Sequence, residues 1–383
     1  MMPPPVADVL AMAGDQVLDA SRLLWPGALV KPGALVPSVT SYVQHLTVDG
    51  RPLYAKVSVC GVSLVSMAAG ACGDLATVRA RQSAYLTTPG SLMAREAEQL
   101  RTLSGPARLT AAPLAGYARG VLFTSPVTGP TLTDLIDAEP GRTRELLALV
   151  LGDVAAGLAR DGVGEAVERT AIRERGIDGT FHRKFNGLSG TAYLRRTGHG
   201  ETLATAVGRL RRARRLPPMP GTAVIFGDLK PEHAVFFDRD RPVYLDPGLM
   251  RGHPVADTAK LLSRLLLGLI ASPPPAAGVV LGEVDSFARA RVRRLPAEKQ
   301  SEWLRELVLL ILMDTLNILT TYLTAPPGLL LSAHAAAVRD RARTLADLLD
   351  HATAPLASSD DGTTWWRLYL TRVREAVSAC ESD

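Results

Sequence analysis

Two aspartates in the middle of the chain each follow a short apolar segment. Asp228 comes after residues 224–226, and Asp246 closes a predicted β-hairpin over residues 234–245. A hairpin with one carboxylate before it and another at its end can hold both at one edge. One carboxylate can then orient the proton of an attacking hydroxyl, while the other holds the magnesium ion that bridges nucleotide phosphates. Phosphoryl transfer needs such an arrangement.

Three motifs around these aspartates resemble the aminoglycoside phosphotransferase and choline-kinase-like family, whose members are related to the protein kinases. Residues 228–233 (Asp-Leu-Lys-Pro-Glu-His) are similar to the protein-kinase catalytic loop. Residues 246–248 (Asp-Pro-Gly) are similar to the Asp-Phe-Gly element, and residues 252–259 to the family's Gly-Asp-Pro-x-x-Asp-Leu-Ala stretch. Aspartates are common in turns, but three motifs in this order are more specific than any one alone.

The resemblance implies a role for each polar residue of these motifs. Asp228 would be the catalytic base, and Lys230 would contact the transferring phosphoryl group. Asp246 would bind Mg²⁺, and Asp257 would brace the catalytic loop. His233 stands where the family usually has asparagine, so it is either a second metal ligand or a residue that hydrogen-bonds the catalytic loop.

The N-terminal part of the chain has the pattern of a β-rich lobe. Two strand-like segments are joined by Asp49-Gly50, which is a hairpin signal. Lys56 interrupts the apolar pattern of the second strand, so it needs a partner if it is buried. The resemblance implies that Lys56 binds nucleotide phosphates and pairs with Glu96, which lies on a predicted helix over residues 91–103.

The resemblance also implies where the rest of the nucleotide would lie. Residues 37–41, a polar segment that ends at Ser41, look like the family's nucleotide-covering loop. The base would lie against residues 124–130, which contain two prolines and a glycine after a short strand. Phe123 and Ser125 are the candidate contacts there, and the family uses backbone groups for this purpose.

The resemblance implies an α+β protein with a bilobal protein-kinase-like fold. Residues 1–124 would form the smaller lobe, an antiparallel sheet with one or two helices. Residues 125–383 would form the larger, mainly helical lobe that carries the catalytic loop and binds the acceptor. Helical patterns cover residues 76–86, 91–103, 142–160, 201–215, 256–271, 283–294, 300–323, 333–352 and 364–379.

The composition fits a globular protein of a reducing compartment. Hydrophobic residues make up 47% of the 383 residues, enough for a sizeable core. The three cysteines have no metal-ligand spacing, and residues 1–5 lack a signal-peptide pattern, so we expect a cytoplasmic protein. The most apolar stretch, residues 307–323, is short for a membrane span and is interrupted by Asp314 and Asn317, which predicts a buried helix.

The net charge of +5 is concentrated in one segment. Residues 169–215 carry twelve Lys or Arg and three Asp or Glu, a local net charge of +9, so the rest of the chain carries −4. No nucleic-acid or membrane partner is therefore expected from the global charge. In the related family this segment helps to build the acceptor pocket, which predicts a neutral or anionic acceptor. Six residues would line its wall: Arg173, Arg175, Arg183, Lys184, Arg195 and Arg196.

The expected activity is Mg²⁺-dependent transfer of the γ-phosphoryl group of ATP or GTP to a hydroxyl of an antibiotic, another natural product or a biosynthetic intermediate. A protein kinase is one alternative, although Phe226-Gly227 precedes Asp228 where protein kinases have His-Arg, and no Ala-Pro-Glu element is found. A nucleotide-binding scaffold with little catalysis is another, and the histidine at position 233 favours it. The sequence does not indicate the oligomeric state.

Overall fold

The computed structural model describes residues 2–214, 221–238, 240–357 and 360–381. They form a smaller lobe around an antiparallel sheet and a larger, mainly helical lobe. This is the bilobal α+β architecture that the sequence predicted. The last strand of the smaller lobe ends at Thr124 and the next helix begins at Leu132, on either side of the predicted connection.

The described part of the smaller lobe combines one sheet with four helices. The strands are β1 (Val30–Leu35), β2 (Tyr42–Val48), β3 (Arg51–Val57), β4 (Leu114–Ala118) and β5 (Val121–Thr124), in the spatial order β1-β2-β3-β5-β4. The helices are α1 (Val6–Leu24), α2 (Leu64–Ala68), α3 (Leu75–Leu86) and α4 (Leu92–Ser104). The predicted helices over 76–86 and 91–103 correspond to α3 and α4.

The predicted hairpin forms between β2 and β3. Its turn residues Asp49 and Gly50 have positive φ angles of 49° and 80°, which a two-residue type I′ turn requires. The register places Lys56 opposite Val43 on one side and Leu122 on the other. Lys56 therefore belongs to a central strand, and only 9% of the residue is exposed.

The sequence pattern predicts a β-rich N-terminal part, but the structure begins with the helix α1. Its buried residues Val9, Ala13, Val17 and Ala20 recur at helical spacing and join the apolar cluster of the sheet. This spacing is the signal that identifies an amphipathic helix. Two of the four positions are alanines, so the apolar stripe is weak and is easily overlooked.

The larger lobe consists of helices and two small two-stranded sheets. The described helices are α5 (Leu132–Ala138), α6 (Thr143–Leu158), α7 (Val163–Thr170), α8 (Ile177–Phe185), α9 (Gly187–Arg195), α10 (Gly200–Ala213), α11 (Val255–Ala271), α12 (Ala277–Val292), α13 (Ala297–Leu323), α14 (Ala333–Asp340), α15 (Ala342–Thr353) and α16 (Gly362–Glu381). The sheets pair β6 (Ala223–Ile225) with β9 (Met250–Gly252), and β7 (Ala234–Asp238) with β8 (Arg241–Tyr244).

Two predicted segments differ from the structure. The single helix predicted over residues 333–352 is two helices, because the chain leaves the helical conformation at Arg341. The basic segment 169–215 forms α8 and α9 in addition to the predicted α10. Arg215 at the end of this segment and Arg239 in the predicted hairpin turn lie outside the described residues.

The helix α13 is the central helix of the larger lobe and packs against α8, α11 and α16. In the described part of the chain it is the helix that is long and apolar enough to cross a membrane by length and composition. However, 89% of the most apolar 18-residue stretch of α13 is buried inside the protein. The prediction of a buried helix over residues 307–323 is therefore confirmed.

A network of charged side chains lies inside the contact between α11 and α13. Asp314 on α13 is 1% exposed and accepts hydrogen bonds from Lys260 at 2.8 Å, Ser263 at 2.6 Å and Arg264 at 2.8 Å. Burial alone would raise the pKa of Asp314, but the charges of Arg264 and Lys260 hold it well below its ordinary value. The carboxylate stays ionised and links the two helices.

We expect Asp314→Ala to lower the free energy of unfolding by about 3–5 kcal/mol, because it leaves the cations of Lys260 and Arg264 buried without their partner. Urea unfolding followed by circular dichroism measures the change. Asp340→Ala, which removes an exposed carboxylate at the end of α14, should change the same quantity by less than about 0.5 kcal/mol. Similar losses in both variants would contradict the stabilising role of the buried network.

Candidate active site

The catalytic-loop segment leaves β6 through a tight turn at Gly227. The φ angle of Gly227 is +77°, and a Cβ atom there would lie 2.3 Å from the carbonyl oxygen of Gly248. Only glycine fits such a close approach. The N–H of Gly248 also donates to the carbonyl of Phe226 at 3.1 Å. These contacts bring Asp228 beside the segment that begins with Asp246.

Asp257 at the start of α11 binds the backbone immediately before Asp228. It accepts hydrogen bonds from the N–H groups of Phe226 and Gly227, each at 2.7 Å, and is 5% exposed. Burial raises the pKa of Asp257 to about 6, although the two N–H donors favour the charged form. These contacts are those expected of a residue that braces the catalytic loop.

Asp228 lies between two lysines. The Nζ atom of Lys230 is 3.1 Å from its Oδ2, and the Nζ atom of Lys260 is 3.5 Å from its Oδ1. Burial alone would raise the pKa of Asp228, but these ammonium groups hold it well below its ordinary value. Asp228 is therefore ionised at neutral pH and is a weak base. It can orient a hydroxyl better than it can remove the proton early.

Lys56 contacts groups from both lobes. Its Nζ is 2.9 Å from Oε1 of Glu96 on α4 and 2.7 Å from Oδ2 of Asp246. Burial alone would raise the pKa of Asp246, but Lys56 and other nearby cations lower it strongly. The side chain of Glu96 is 1% exposed, whereas that of Asp246 is 44% exposed. The expected Lys56–Glu96 pair is thus present, and the carboxylate of Asp246 is partly exposed to solvent.

His233 lies between the two aspartates. Its Nδ1 is 3.0 Å from the carbonyl oxygen of Asp228, and its Nε2 is 4.0 Å from Oδ2 of Asp246. Burial lowers the pKa of His233 and Lys230 lowers it further, so the imidazole is neutral. The Nδ1–H donates to the carbonyl, and Nε2 turns its lone pair toward a carboxylate oxygen. Nε2 of His233 and the carboxylate of Asp246 are therefore two acceptors that could hold a cation between them.

The chemistry of these two acceptors fits a magnesium site that takes its other ligands from a nucleotide. Mg²⁺ is commonly held by one or two carboxylates together with phosphates and water. Within the described ranges, no group of three or more His, Cys, Asp or Glu side chains forms a metal site. Because Mg²⁺ prefers oxygen ligands, Asp246 would be the main protein ligand and His233 at most a secondary one.

Arg175 was expected on the wall of an acceptor pocket, but it lies at the junction of the lobes. Its Nη2 donates to Oε2 of Glu96, and its Nη1 donates to the carbonyl oxygens of Asp246 at 3.1 Å and Pro247 at 2.6 Å. Glu96 lies 79 positions away along the chain. No local sequence pattern could have indicated this contact.

Sequence reasoning also missed Lys260 and Arg264. Both project from α11 into the charged network beside Asp228. Together with Asp257 they occupy one side of a helix whose other residues are mainly apolar. Their spacing of three and four positions is the signal that could have identified them.

Two of the predicted nucleotide contacts are buried. Ser41 ends the loop between β1 and β2, is 4% exposed, and donates its N–H to Oγ of Ser38 at 3.2 Å. Phe123 has no exposed surface, and its ring packs edge-on against Trp25 with the centroids 5.0 Å apart. The side chain of Phe123 therefore belongs to the core of the smaller lobe.

The third predicted nucleotide contact, Ser125, already has partners on both its backbone and its side chain. Its N–H donates to the carbonyl of Pro113 at 2.9 Å, and its hydroxyl accepts a hydrogen bond from Arg51 at 3.0 Å. Because this N–H is occupied, a base that binds here would need other backbone groups of the connecting segment.

The predicted substrate residues Arg183 and Lys184 bind other parts of the larger lobe. Lys184 donates to the carbonyl of Asn317 and to Oγ1 of Thr321 on α13. Arg183 is exposed and donates to the carbonyl of Glu174 at 2.8 Å. That Arg183 and Lys184 contact substrate stays a prediction.

Part of the +9 charge of the basic segment is neutralised by acidic residues outside it. Arg214 pairs with Glu306, as well as with Asp178 inside the segment, and Arg209 pairs with Asp350. The exposed members of the predicted wall are Arg173, Arg183, Arg195 and Arg196. The segment therefore divides into paired and exposed cations, and its part in an acceptor pocket stays a prediction.

No protein-family model and no curated protein sequence matches the chain. Solved structures do match. An amicoumacin kinase in complex with AMP-PNP and Ca²⁺ has 13% identity and a TM-score of 0.51, over 87% of this chain and 93% of that chain. The GDP complex of aminoglycoside 2'-phosphotransferase-IIIa has 14% identity and a TM-score of 0.46, over 95% and 98%. An ethanolamine kinase of Plasmodium vivax has 9% identity and a TM-score of 0.47, over 82% and 81%.

At this level of identity the similarity concerns the fold. The chain has the bilobal protein-kinase-like fold, which it shares with the amicoumacin kinase. The resemblance that the three motifs indicated is therefore confirmed at the level of the fold.

The raised pKa of Asp257 predicts a pH dependence of turnover. Below pH about 6 Asp257 takes up a proton, and its hydroxyl can no longer accept from a backbone N–H. We expect turnover to fall as the pH drops through this value. The raised pKa of Asp257 affects the free energy of unfolding in the opposite direction to turnover. A carboxyl whose pKa rises on folding stabilises the protein most below its unfolded value of about 3.9, and this stabilisation is lost as the pH rises through the folded value.

A pH–rate profile of the parent and of Asp257→Asn tests this assignment. The amide resembles the protonated acid and does not titrate, so the variant should have lower turnover and no acid limb near pH 6. An unchanged acid limb in Asp257→Asn would assign it to another group.

Proposed function

We propose that this protein is a small-molecule O-phosphotransferase that moves the γ-phosphoryl group of ATP or GTP to a hydroxyl of its acceptor. One observation carries the proposal: Asp228 and Asp246 lie on either side of His233, with the Lys56–Glu96 pair beside Asp246. The amicoumacin kinase of similar fold was solved with the ATP analogue AMP-PNP. That structure supports a nucleoside triphosphate as donor.

In the proposed reaction Asp228 orients the acceptor hydroxyl. The new bond forms between the hydroxyl oxygen and the γ-phosphorus as the bond to the β-phosphate oxygen breaks. The proton passes to Asp228 late, because its low pKa makes it a weak base, and the nucleoside diphosphate leaves. Such late proton transfer suits a loose transition state that needs little help from a base.

Two lysines neutralise the phosphates in this proposal. Lys56 binds the phosphates of the donor while Glu96 holds its ammonium group in place. Lys230, 3.1 Å from Asp228, lies where it can stabilise charge on the transferring phosphoryl group. Asp246 and His233 would hold Mg²⁺, which supplies neutralisation of charge on the bridging phosphate oxygens when it is bound.

The short path between Asp246 and α11 disfavours a protein kinase. The chain passes from Gly248 directly into β9, which pairs with β6, and α11 begins at Val255. A protein kinase needs an activation segment between its Asp-Phe-Gly and Ala-Pro-Glu elements, and no room remains for one here. The scaffold alternative is disfavoured because the carboxylates and lysines needed for transfer are all in place.

We propose that the acceptor is neutral or anionic. Asp228 is already flanked by Lys230 and Lys260, so the cleft offers a polycation little free negative charge. The exposed arginines of the basic segment, Arg195 and Arg196 among them, add repulsion to its approach. A hydroxylated natural product without several amines fits this balance of charge.

We expect Asp228→Asn to reduce turnover by about 10²–10⁴-fold while nucleotide affinity stays close to that of the parent, because the neutral amide cannot orient the acceptor hydroxyl as a carboxylate does and cannot take up its proton late in the reaction. Phosphoryl gain by a panel of hydroxylated natural products, read by mass spectrometry, measures turnover. Asp240→Asn, which changes an exposed carboxylate near the β7–β8 hairpin, is the control. Turnover of Asp228→Asn within a few-fold of the parent would remove Asp228 from the mechanism.

The charge of the acceptor predicts a clear preference in steady-state kinetics. The kcat/KM values for neutral or acidic hydroxylated compounds should exceed those for a polycationic aminoglycoside, and the difference should shrink at high salt because salt screens the repulsion. Efficient phosphorylation of the polycation without preference for the other compounds would contradict the proposed acceptor class and leave the phosphotransferase assignment intact.

A further inference from the structure

Arg175 reaches the lobe junction from a segment that belongs to the larger lobe. It ends the short 3₁₀ turn Arg173–Arg175, between α7 and α8. Its side chain is 14% exposed, and its guanidinium group donates to the carboxylate of Glu96 and to the carbonyls of Asp246 and Pro247. One side chain therefore contacts both the helix that carries Glu96 and the segment that carries Asp246.

The backbone that Arg175 contacts has an unusual conformation. Asp246 has a φ angle of +50°, in the left-handed region that is unfavourable for a residue other than glycine. The next two residues are also restrained, because Pro247 has a fixed φ angle and a Cβ atom on Gly248 would lie 3.2 Å from Cδ of Arg175. The arginine covers and hydrogen-bonds the segment that aims the Asp246 carboxylate.

We propose that Arg175 is a positioning residue that holds Glu96 and the Asp246–Pro247 backbone together, so that Lys56 and Asp246 meet the same phosphates and metal. This inference rests on the proposed phosphotransferase function. It assigns Arg175 to the nucleotide and metal side of the cleft.

The geometry uses both terminal nitrogens of a guanidinium. The acceptors of Arg175 are a carboxylate on one side and two backbone carbonyls on the other, which match the two arms of a rigid fork. A lysine would bring a single nitrogen atom and could not span both sides. Burial alone would lower the pKa of Arg175, but Glu96 and the two catalytic aspartates raise it. The cation is therefore permanent.

Other contacts keep α4 docked without Arg175. Gln99 donates to the carbonyls of Thr170 and Leu249 and accepts from the N–H of Leu249. Arg95 donates to the carbonyl of Ala171 and to Glu174. Removal of the Arg175 guanidinium should leave these contacts in place. Only the contacts of Arg175 itself should be lost, which are those with the carboxylate of Glu96 and with the backbone of Asp246 and Pro247.

The test compares Arg175→Met and Arg175→Lys with the parent and with Arg169→Met, a change at an exposed arginine at the end of α7. Binding of a fluorescent ATP analogue is titrated with Mg²⁺, and the melting temperature is recorded for each protein. We expect Arg175→Met to need about tenfold more Mg²⁺ for half-maximal binding, the usual size of an effect on the partners of metal ligands. Arg175→Lys should be intermediate, and Arg169→Met should match the parent.

Unchanged Mg²⁺ dependence in folded Arg175→Met or Arg175→Lys, with or without a lower melting temperature, would overturn the positioning role. If only Arg175→Lys folds, a higher Mg²⁺ concentration for half-maximal nucleotide binding than in the parent still supports the positioning role. If the parent itself binds no nucleotide in the presence of Mg²⁺, the phosphotransferase assignment fails, and the positioning role fails with it.

Discussion

The buried carboxylate of Glu96 is the interaction on which the rest of the site depends. Its side chain is 1% exposed and has two cationic partners, Lys56 from the sheet and Arg175 from the larger lobe. A buried carboxylate without a cationic partner is strongly unfavourable, so Lys56 and Arg175 together compensate the burial of the Glu96 charge. Through these pairs one helix of the smaller lobe fixes the lysine that faces the cleft and the backbone that carries Asp246.

The position of α4 follows from the same contacts. Arg95 and Gln99, on the same helix as Glu96, bind the chain at residues 170–174 and at Leu249. These hydrogen bonds are distributed along one face of α4 and hold it against both the basic segment and the region after Asp246. These contacts between the two lobes assemble the site.

The sequence predicted those parts of the site that are local in the chain. Asp228, His233 and Asp246 lie in one stretch where spacing and strand pattern place them together, and the Lys56–Glu96 pair followed from the motif match and from the need of a buried lysine for a partner. Arg175 could not be predicted in the same way, because it lies on a short 3₁₀ turn and meets Glu96 across the fold, a contact that leaves no periodic pattern. Lys260 was missed, although its spacing from Asp257 and Arg264 on α11 is a helical signal.

The same reasoning explains the outcome for the fold. The hairpin at Asp49-Gly50 was predicted because a two-residue turn has strict residue requirements. The N-terminal helix α1 was missed because small alanines alternate with its larger apolar residues, so that its hydrophobic stripe is narrow. The net charge of the basic segment was counted correctly, but its pairing with distant carboxylates such as Glu306 is a property of the packed lobe.

The structure of the protein with AMP-PNP and Mg²⁺ would test the central claim most directly. In the present structure Lys56 binds both Glu96 at 2.9 Å and Asp246 at 2.7 Å. The account predicts that Lys56 keeps Glu96 and exchanges Asp246 for a phosphate oxygen, while Asp246 becomes a ligand of the metal. A nucleotide bound elsewhere, or bound with the Lys56–Asp246 contact intact and no metal at Asp246, would contradict it.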